Sequence, residues 1–418
     1  MTGSGRVRAG SAVRPGRTGK AAVGGPAMSG PGASRPSVGG PRTDGPLGRR
    51  GTLAARIPAF PWDSLTAERE LASAHPDGIV DLSVGTPVDA VPAVIQQALR
   101  AAANSPGYPT TAGTPALRET AAGWLARRHG VVVDPDAVLP VIGTKELIAW
   151  LPTLLGCGPG DVVAYPALAY PTYEVGARLA GSRPVATDGL LALGPERVAL
   201  AWLNSPANPT GKVLPIEHLR KVVDWARERG TIIASDECYI ELGWDSAPVS
   251  VLHPDICGDR HQGLLAVHSL SKRSNLAGYR AGFVTGDAAL IAELLEIRKN
   301  VGLMVPAPVQ AAMAAALSDD THADEQRARY EARRRRLRPA LAAAGWRVDE
   351  SAGGLYLWAT HPDLDCRASA RRLAQAGILV APGEFYGSGG ARHVRVALTA
   401  TDERIDAAIA RLTSIDAC

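Results

Sequence analysis

The sequence predicts an α/β fold: a large domain built on a mostly parallel, seven-stranded sheet with helices on both faces, plus a smaller α+β domain. Three observations lead there. Between residues 91 and 300 short, near-continuous apolar runs alternate with helical segments, as strands buried on both faces require. After Val305 the alternation gives way to a long helix, an apolar strand, a second helix and a last strand. The chain of 418 residues is also too long for one simple core.

The first 56 residues are a different material. They carry ten basic residues against a single acid, Asp44, among dense Gly, Pro and Ser. The whole chain is +4, so the remainder is mildly acidic and the basic character belongs to the tail. Such a segment buries too little apolar surface to order itself. It lacks the apolar stretch of a secretory signal, and its Gly and Pro content argues against a transit helix. Residues 1–55 are therefore expected to be a disordered or over-long translated extension. Residues 56–90 are read as an arm and part of the small domain, 91–300 as the large domain, and 301–418 as the rest of the small one.

Within the large domain "PAVIQQALRAAA" reads as a helix and "VLPVIGTKELIAWLPTLLG" as a strand running into a helix. The runs "DVVAYP", "RVALAWLN", "TIIASDE", "LLAVHSL" and "AGFVTG" read as strands, with helices such as "IEHLRKVVDWARERG" between some of them. In the small domain "GLYLWAT" and "HVRVAL" read as strands flanking the helix "RASARRLAQAGI". The run "RRRR" at 333–336 lies in a helical pattern with interspersed acids and is expected to be a solvated face, not a nucleic-acid site.

Composition narrows the function classes. No apolar run approaches the roughly 18 residues of a membrane helix. Five cysteines without a CxxC pair fit reduced thiols in a cytoplasm. The nine histidines show no metal-ligand spacing, so no metal site is expected.

The strand exits carry the chemistry. In open α/β sheets ligands sit beyond the carboxyl ends of the strands. Gly143, Thr144 and Lys145 follow one strand and open a helix. Asn208 stands in "NSPANPTG", Asp236 and Tyr239 in "SDECY", and Ser269, Ser271, Lys272 and Arg280 in "HSLSKRSNLAGYRAGF". Each has a structural reading alone: a turn, a cap, a core edge, a polar loop. Together they suit a phosphorylated aldehyde cofactor with a pyridine ring. Lys272 can form an imine with the aldehyde, although a free lysine with a pKa near 10.4 is almost wholly protonated at neutral pH and must be perturbed to react. Asp236 can face the ring nitrogen, and Tyr239 and Asn208 the ring's phenolate oxygen. The helix start at 143–145, the two serines and Arg280 can hold the phosphate.

These motifs resemble those of the fold type I, pyridoxal-phosphate-dependent aminotransferases of class I/II, from about residue 60 to the C-terminus. The resemblance implies a pyridoxal 5'-phosphate cofactor, with catalytic roles for Lys272, Asp236 and Tyr239. The resemblance also implies that Lys272 shuttles a proton. It further implies that Tyr170 in "YPALAYPTY" stacks on the ring. Asn208 would bridge cofactor and substrate, Arg395 in "HVRVAL" would grip the substrate α-carboxylate, and the backbone of Gly85 would border it. Tyr108 in "YPTTAGTPALRE" matches a tyrosine that reaches the neighbouring subunit's phosphate, which implies a homodimer. Lys145 stands where many relatives carry a small or neutral residue. Within the family the sequence looks most like the succinyldiaminopimelate transaminases, implying glutamate as donor and N-succinyl-2-amino-6-oxopimelate as acceptor. Arg273 and Lys145 are candidates for the extra carboxylates of these polyanions. The rival readings are an aspartate, aromatic or LL-diaminopimelate aminotransferase, a lyase on the same scaffold, and a cofactor-sensing regulator with the tail on DNA.

Overall fold

The computed structural model describes residues 53–194 and 196–415. The expectation for the tail therefore falls outside the described residues except at its last three positions. Among the described residues no helix is long and apolar enough to cross a membrane, and no cluster of His, Cys, Asp and Glu could hold a metal ion.

The large sheet has seven strands: β1 (Val138–Ile142), β2 (Val162–Tyr165), β3 (Arg183–Ala186), β4 (Val198–Asn204), β5 (Ile232–Asp236), β6 (Leu264–Ser269) and β7 (Ala281–Gly286). Their spatial order is β1-β7-β6-β5-β4-β2-β3, with β7 alone antiparallel to its neighbours. β6 is buried along its whole length, as the unbroken "LLAVHS" requires. Two apolar clusters, one on each face, alternate along the strands. Leu264 and Ala266 join one, while Leu265 and Val267 join the other. The runs read as strands are all present. The edge strand β3 went unread because "RPVA" has no apolar run and none of its residues is buried.

The second sheet is antiparallel, in the order β10-β11-β9-β8, from β8 (Arg347–Asp349), β9 (Tyr356–Thr360), β10 (Ala381–Pro382) and β11 (His393–Ala397). Val80–Asp81 pairs in parallel with Ile378–Leu379, which ties the early segment to the C-terminal elements. The single long helix expected after Val305 is two, Ala307–Ser318 and Thr321–Ala343. Asp319 ends the first. Its carboxylate accepts from the Thr321 backbone N–H at 3.0 Å and from His322 Nδ1 at 2.8 Å, so local bonds replace the helical ones.

The arginine run corrects a further expectation. Arg333 is 1% exposed and pairs with both Asp89 and Asp402 at 2.7 Å, and Arg334 is buried against Asp245. Two of the four arginines are interior ion-pair members that tie the helix Thr321–Ala343 to distant segments, not a solvated face.

Candidate active site

Parallel register brings the chemistry together. In β4 and β5 Asn204 lies opposite Asp236, and in β5 and β6 Asp236 lies opposite Val267, two residues before the exit at Ser269. β7 enters the sheet where β1 leaves it, with Ala281 opposite Ile142. That places Arg280 beside Gly143. Arg280 has φ +56°, and its guanidinium lies so close that a Cβ on Gly143 would stand 2.3 Å from Nη2. Gly143 itself has φ +72°, so glycine meets both a conformational and a spatial demand there. The helix Thr144–Leu154 begins at this point, and Ser269 Oγ accepts from the Ser271 N–H at 3.1 Å to cap the turn that carries Lys272. The helix start at Thr144, the Ser269–Ser271 turn and the Arg280 guanidinium thus converge at neighbouring strand ends, a set of donors suited to a phosphate.

Asp236 is buried, and its Oδ2 accepts from Tyr173 Oη at 2.7 Å while Oδ1 accepts from the Cys238 N–H at 3.2 Å. Burial pushes its carboxyl above the usual range despite these bonds. A carboxylate in that state gains most from a cation brought against it, such as a protonated pyridine nitrogen. Asn204 ties the neighbouring loop to the same point. Its Nδ2 donates to the Asp236 carbonyl at 2.9 Å, and its Oδ1 accepts from the Asn208 N–H at 2.7 Å.

Lys272 donates from Nζ to the Gly85 carbonyl. Burial holds its amine below the ordinary lysine value, and the Arg395 and Arg280 cations add to this against Tyr356 and Cys238. The shift raises the fraction of neutral, nucleophilic amine. Arg395 is 2% exposed. It donates from Nη1 to Asn208 Oδ1 at 2.9 Å and from Nη2 to the Ser83 carbonyl at 2.7 Å, while its Nε has no hydrogen-bond partner among the described residues. Aromatic faces enclose the guanidinium, with Tyr356 at 3.9 Å, Tyr386 at 4.9 Å and Trp62 at 5.7 Å. A buried cation with no carboxylate partner among the described residues, set between aromatic rings, is suited to receive an anion.

Tyr239 and Tyr356 meet hydroxyl to hydroxyl at 3.2 Å. Burial pushes the Tyr239 phenol well above its usual value. Burial acts the same way on Tyr356, but Arg395 and Lys272 outweigh it and bring that phenol below the usual value. Tyr170 packs edge-on against Tyr173 at 6.0 Å, and burial pushes its phenol up to about 12.

Most residues singled out from sequence therefore gather around the carboxyl ends of β1, β4, β5 and β6. Tyr108 does not: it is 99% exposed, clear of its own chain's site. Arg273 also departs from expectation. It is 5% exposed, donates from Nε to the Glu241 carboxylate and from Nη1 to the Ala316 carbonyl at 2.7 Å, and stacks 5.5 Å from Trp124. Adjacent residues of a helical turn face different ways, so Lys272 and Arg273 serve different neighbours, and Arg273 does not line the mouth. Lys145 Nζ lies 5.3 Å from the exposed Phe60 ring, and burial with the Arg280 charge lowers its pKa. Tyr173, Tyr356 and Trp62 were missed. Tyr356 sits in an apolar strand run and looks like core, and Trp62 and Tyr173 stand beside polar residues in no spacing that marks a site, although the second tyrosine of "YPTY" offered a signal beside Tyr170.

The sequence profile of the family described as aminotransferase class I and II matches residues 77–412. A protein of Mycobacterium tuberculosis described as a probable aminotransferase is 65% identical over 365 residues, covering 87% of each chain. The 4-dedimethylamino-4-oxo-anhydrotetracycline transaminase OxyQ of Streptomyces rimosus is 62% identical, over 85% of this chain and 99% of its own. Among solved structures, a probable N-succinyldiaminopimelate aminotransferase from Thermus thermophilus superposes with a TM-score of 0.77 at 28% identity, covering 85% of this chain and all of the other.

Proposed function

Because the chain belongs to the class I and II aminotransferase family, whose members depend on pyridoxal phosphate, we propose that it moves an amino group from glutamate to N-succinyl-2-amino-6-oxopimelate, releasing N-succinyl-LL-2,6-diaminopimelate and 2-oxoglutarate. The observation that carries this reading is the division of cations. Arg395 lies buried against Asn208 and the Ser83 carbonyl and takes the α-carboxylate. Lys145, against Phe60 and close enough to feel the Arg280 charge, takes a distal carboxylate, which both partners possess. The name of the Thermus thermophilus protein supports the same acceptor.

Bound pyridoxal phosphate supplies an aldehyde for the amino group and a ring that accepts electron density from the substrate's α-carbon. Arg280, Ser269, Ser271 and the backbone at Gly143, Thr144 and Lys145 would hold its phosphate. Asp236, braced by Tyr173, would pair with the ring nitrogen. Tyr239 and Asn208 would serve the ring oxygen, and Tyr170 the ring face. Lys272 would hold the aldehyde end and, as a neutral amine, would take the proton from the substrate α-carbon, a task its lowered pKa suits. Arg395 fixes the carboxylate with two parallel bonds so that the departing proton faces Lys272. Tyr108 of a second copy completes the phosphate site in a homodimer, which agrees with its 99% exposure.

A second reading rests on the 62% identity to OxyQ and on the aromatic wall of Trp62, Tyr356 and Tyr386 around Arg395. That wall also suits a bulky cyclic ketone. Purified holoenzyme with glutamate is tested against N-succinyl-2-amino-6-oxopimelate, its unsuccinylated analogue and a polycyclic ketone. Highest kcat/KM on the succinylated oxo-acid supports the first reading. Turnover confined to the polycyclic ketone overturns it in favour of the second.

A further inference from the structure

Tyr356 is one residue of the site to which neither sequence motif nor family likeness gives a task. It starts β9, opposite Ala397 of β11, and is 4% exposed. Its hydroxyl lies against Gly85, where a Cβ would stand only 2.1 Å from Oη, and Gly85 in turn receives Lys272 through its carbonyl. The same hydroxyl is 3.2 Å from Tyr239 Oη, and the ring face carries the Arg395 guanidinium at 3.9 Å. One phenol thus touches the groups around all three proposed ligands: the lysine, the ring-oxygen donor and the carboxylate arginine.

We propose that Tyr356 is a positioning residue that acts through Tyr239: its hydroxyl donates to Tyr239 Oη, so that the Tyr239 proton is directed at the cofactor's phenolate oxygen. The inference rests on the placement of the cofactor given above. The direction of the bond follows from the surroundings of the two phenols. Lys272 and Arg395 face Tyr356 and make it the stronger acid, with Cys238 acting against them. Tyr239 lies among Tyr356, Cys238 and Asp236, all of which disfavour its ionisation. The phenols of Tyr170, Tyr330 and Tyr386 interact with Tyr356 more weakly and carry no charge at neutral pH. The stronger acid donates and the weaker accepts, which leaves the Tyr239 O–H free for the cofactor.

The consequence is a tuned proton. In the bound cofactor the ring oxygen would compete for a proton with the nitrogen at the aldehyde end, and donation by Tyr239 would weaken the oxygen's pull on it. A Tyr239 that receives a bond from Tyr356 donates more strongly. Losing the Tyr356 hydroxyl should therefore raise the pH midpoint of the bound cofactor's absorption band by roughly half to one unit. kcat should fall about two- to tenfold. The glutamate KM should hold within about twofold, because the ring beneath Arg395 remains.

The test is spectrophotometric titration of holoenzyme carrying Tyr356→Phe, Tyr356→Leu, Tyr239→Phe and the double change Tyr239→Phe/Tyr356→Phe. Support is a raised midpoint in both Tyr356 variants, a raised glutamate KM only with leucine, and no added shift from Tyr356→Phe once Tyr239 is phenylalanine. An unmoved midpoint in Tyr356→Phe, a shift confined to Tyr356→Leu, or full additivity with Tyr239→Phe overturns the proposal. A wild-type protein with no titrating cofactor band would instead overturn the cofactor placement itself, so the two failures are distinct.

Discussion

Tyr173→Phe isolates one bond in the proposed cofactor site. The change removes a single hydroxyl and conserves the ring, which stacks on Trp202 at 5.0 Å and 26° and closes the core beneath β4. What is lost is the 2.7 Å bond from Tyr173 Oη to Asp236 Oδ2. A hydrogen bond to a charged acceptor contributes about 1.5–3 kcal/mol. At 1.36 kcal/mol per pK unit, the Asp236 carboxyl should rise by roughly one to two units above a value that burial already holds high. Asp236 must be ionised to face a protonated ring nitrogen, so the same energy appears as cofactor affinity, a loss of about ten- to a hundredfold in Kd. The assay is equilibrium dialysis of pyridoxal phosphate against apoenzyme across pH, with circular dichroism to confirm that the fold is intact. Wild-type affinity at every pH in a folded Tyr173→Phe protein would refute the role given to this pair.

Glu237 gives a prediction with a definite sign. Burial pushes its carboxyl from 4.5 up to about 7, so the folded state holds a proton that the unfolded chain has released, and stability falls as pH rises through that window. Glu237→Gln keeps an acceptor for the Val251 N–H, bonded at 2.8 Å, and should stabilise apoenzyme by about 3 kcal/mol above the window and scarcely at all below it, as read from urea midpoints. Arg273→Met leaves Glu241 buried with Arg128 as its remaining partner; a loss of about 3–5 kcal/mol in unfolding free energy is expected, with the glutamate KM of the folded fraction unchanged. Arg395→Lys cannot reproduce two parallel bonds between aromatic faces, so kcat/KM for glutamate should drop about ten- to a hundredfold, mostly in KM.

The fold was readable because its strands are buried on both faces. "LLAVHS" and "VALAWLN" announce themselves by composition, and the residues that follow each run are those that converge. The edge strand at 183–186 lacked that signal because it is not buried. Lys272, Asp236 and Asn208 were legible since polar residues at the ends of apolar runs need a reason, and Arg280 because it stands at the start of one. Tyr173 and Tyr356 were not, because a tyrosine in a buried element has the same local pattern whether its hydroxyl is idle or placed. Arg273 was misjudged for a related reason. Its partners Glu241 and Ala316 lie 32 and 43 positions away, and only the packed fold brings them to it. The arginines at 333 and 334 repeat that lesson, with Asp89 and Asp245 reached across 244 and 89 positions.

The most direct test of the central claim is the isolated half-reaction. Holoenzyme mixed with glutamate and no acceptor should release one 2-oxoglutarate per active site, with loss of the aldehyde absorption band, and Lys272→Ala should release none. Normal release by Lys272→Ala, or no oxoglutarate from wild-type protein loaded with cofactor, would contradict the account.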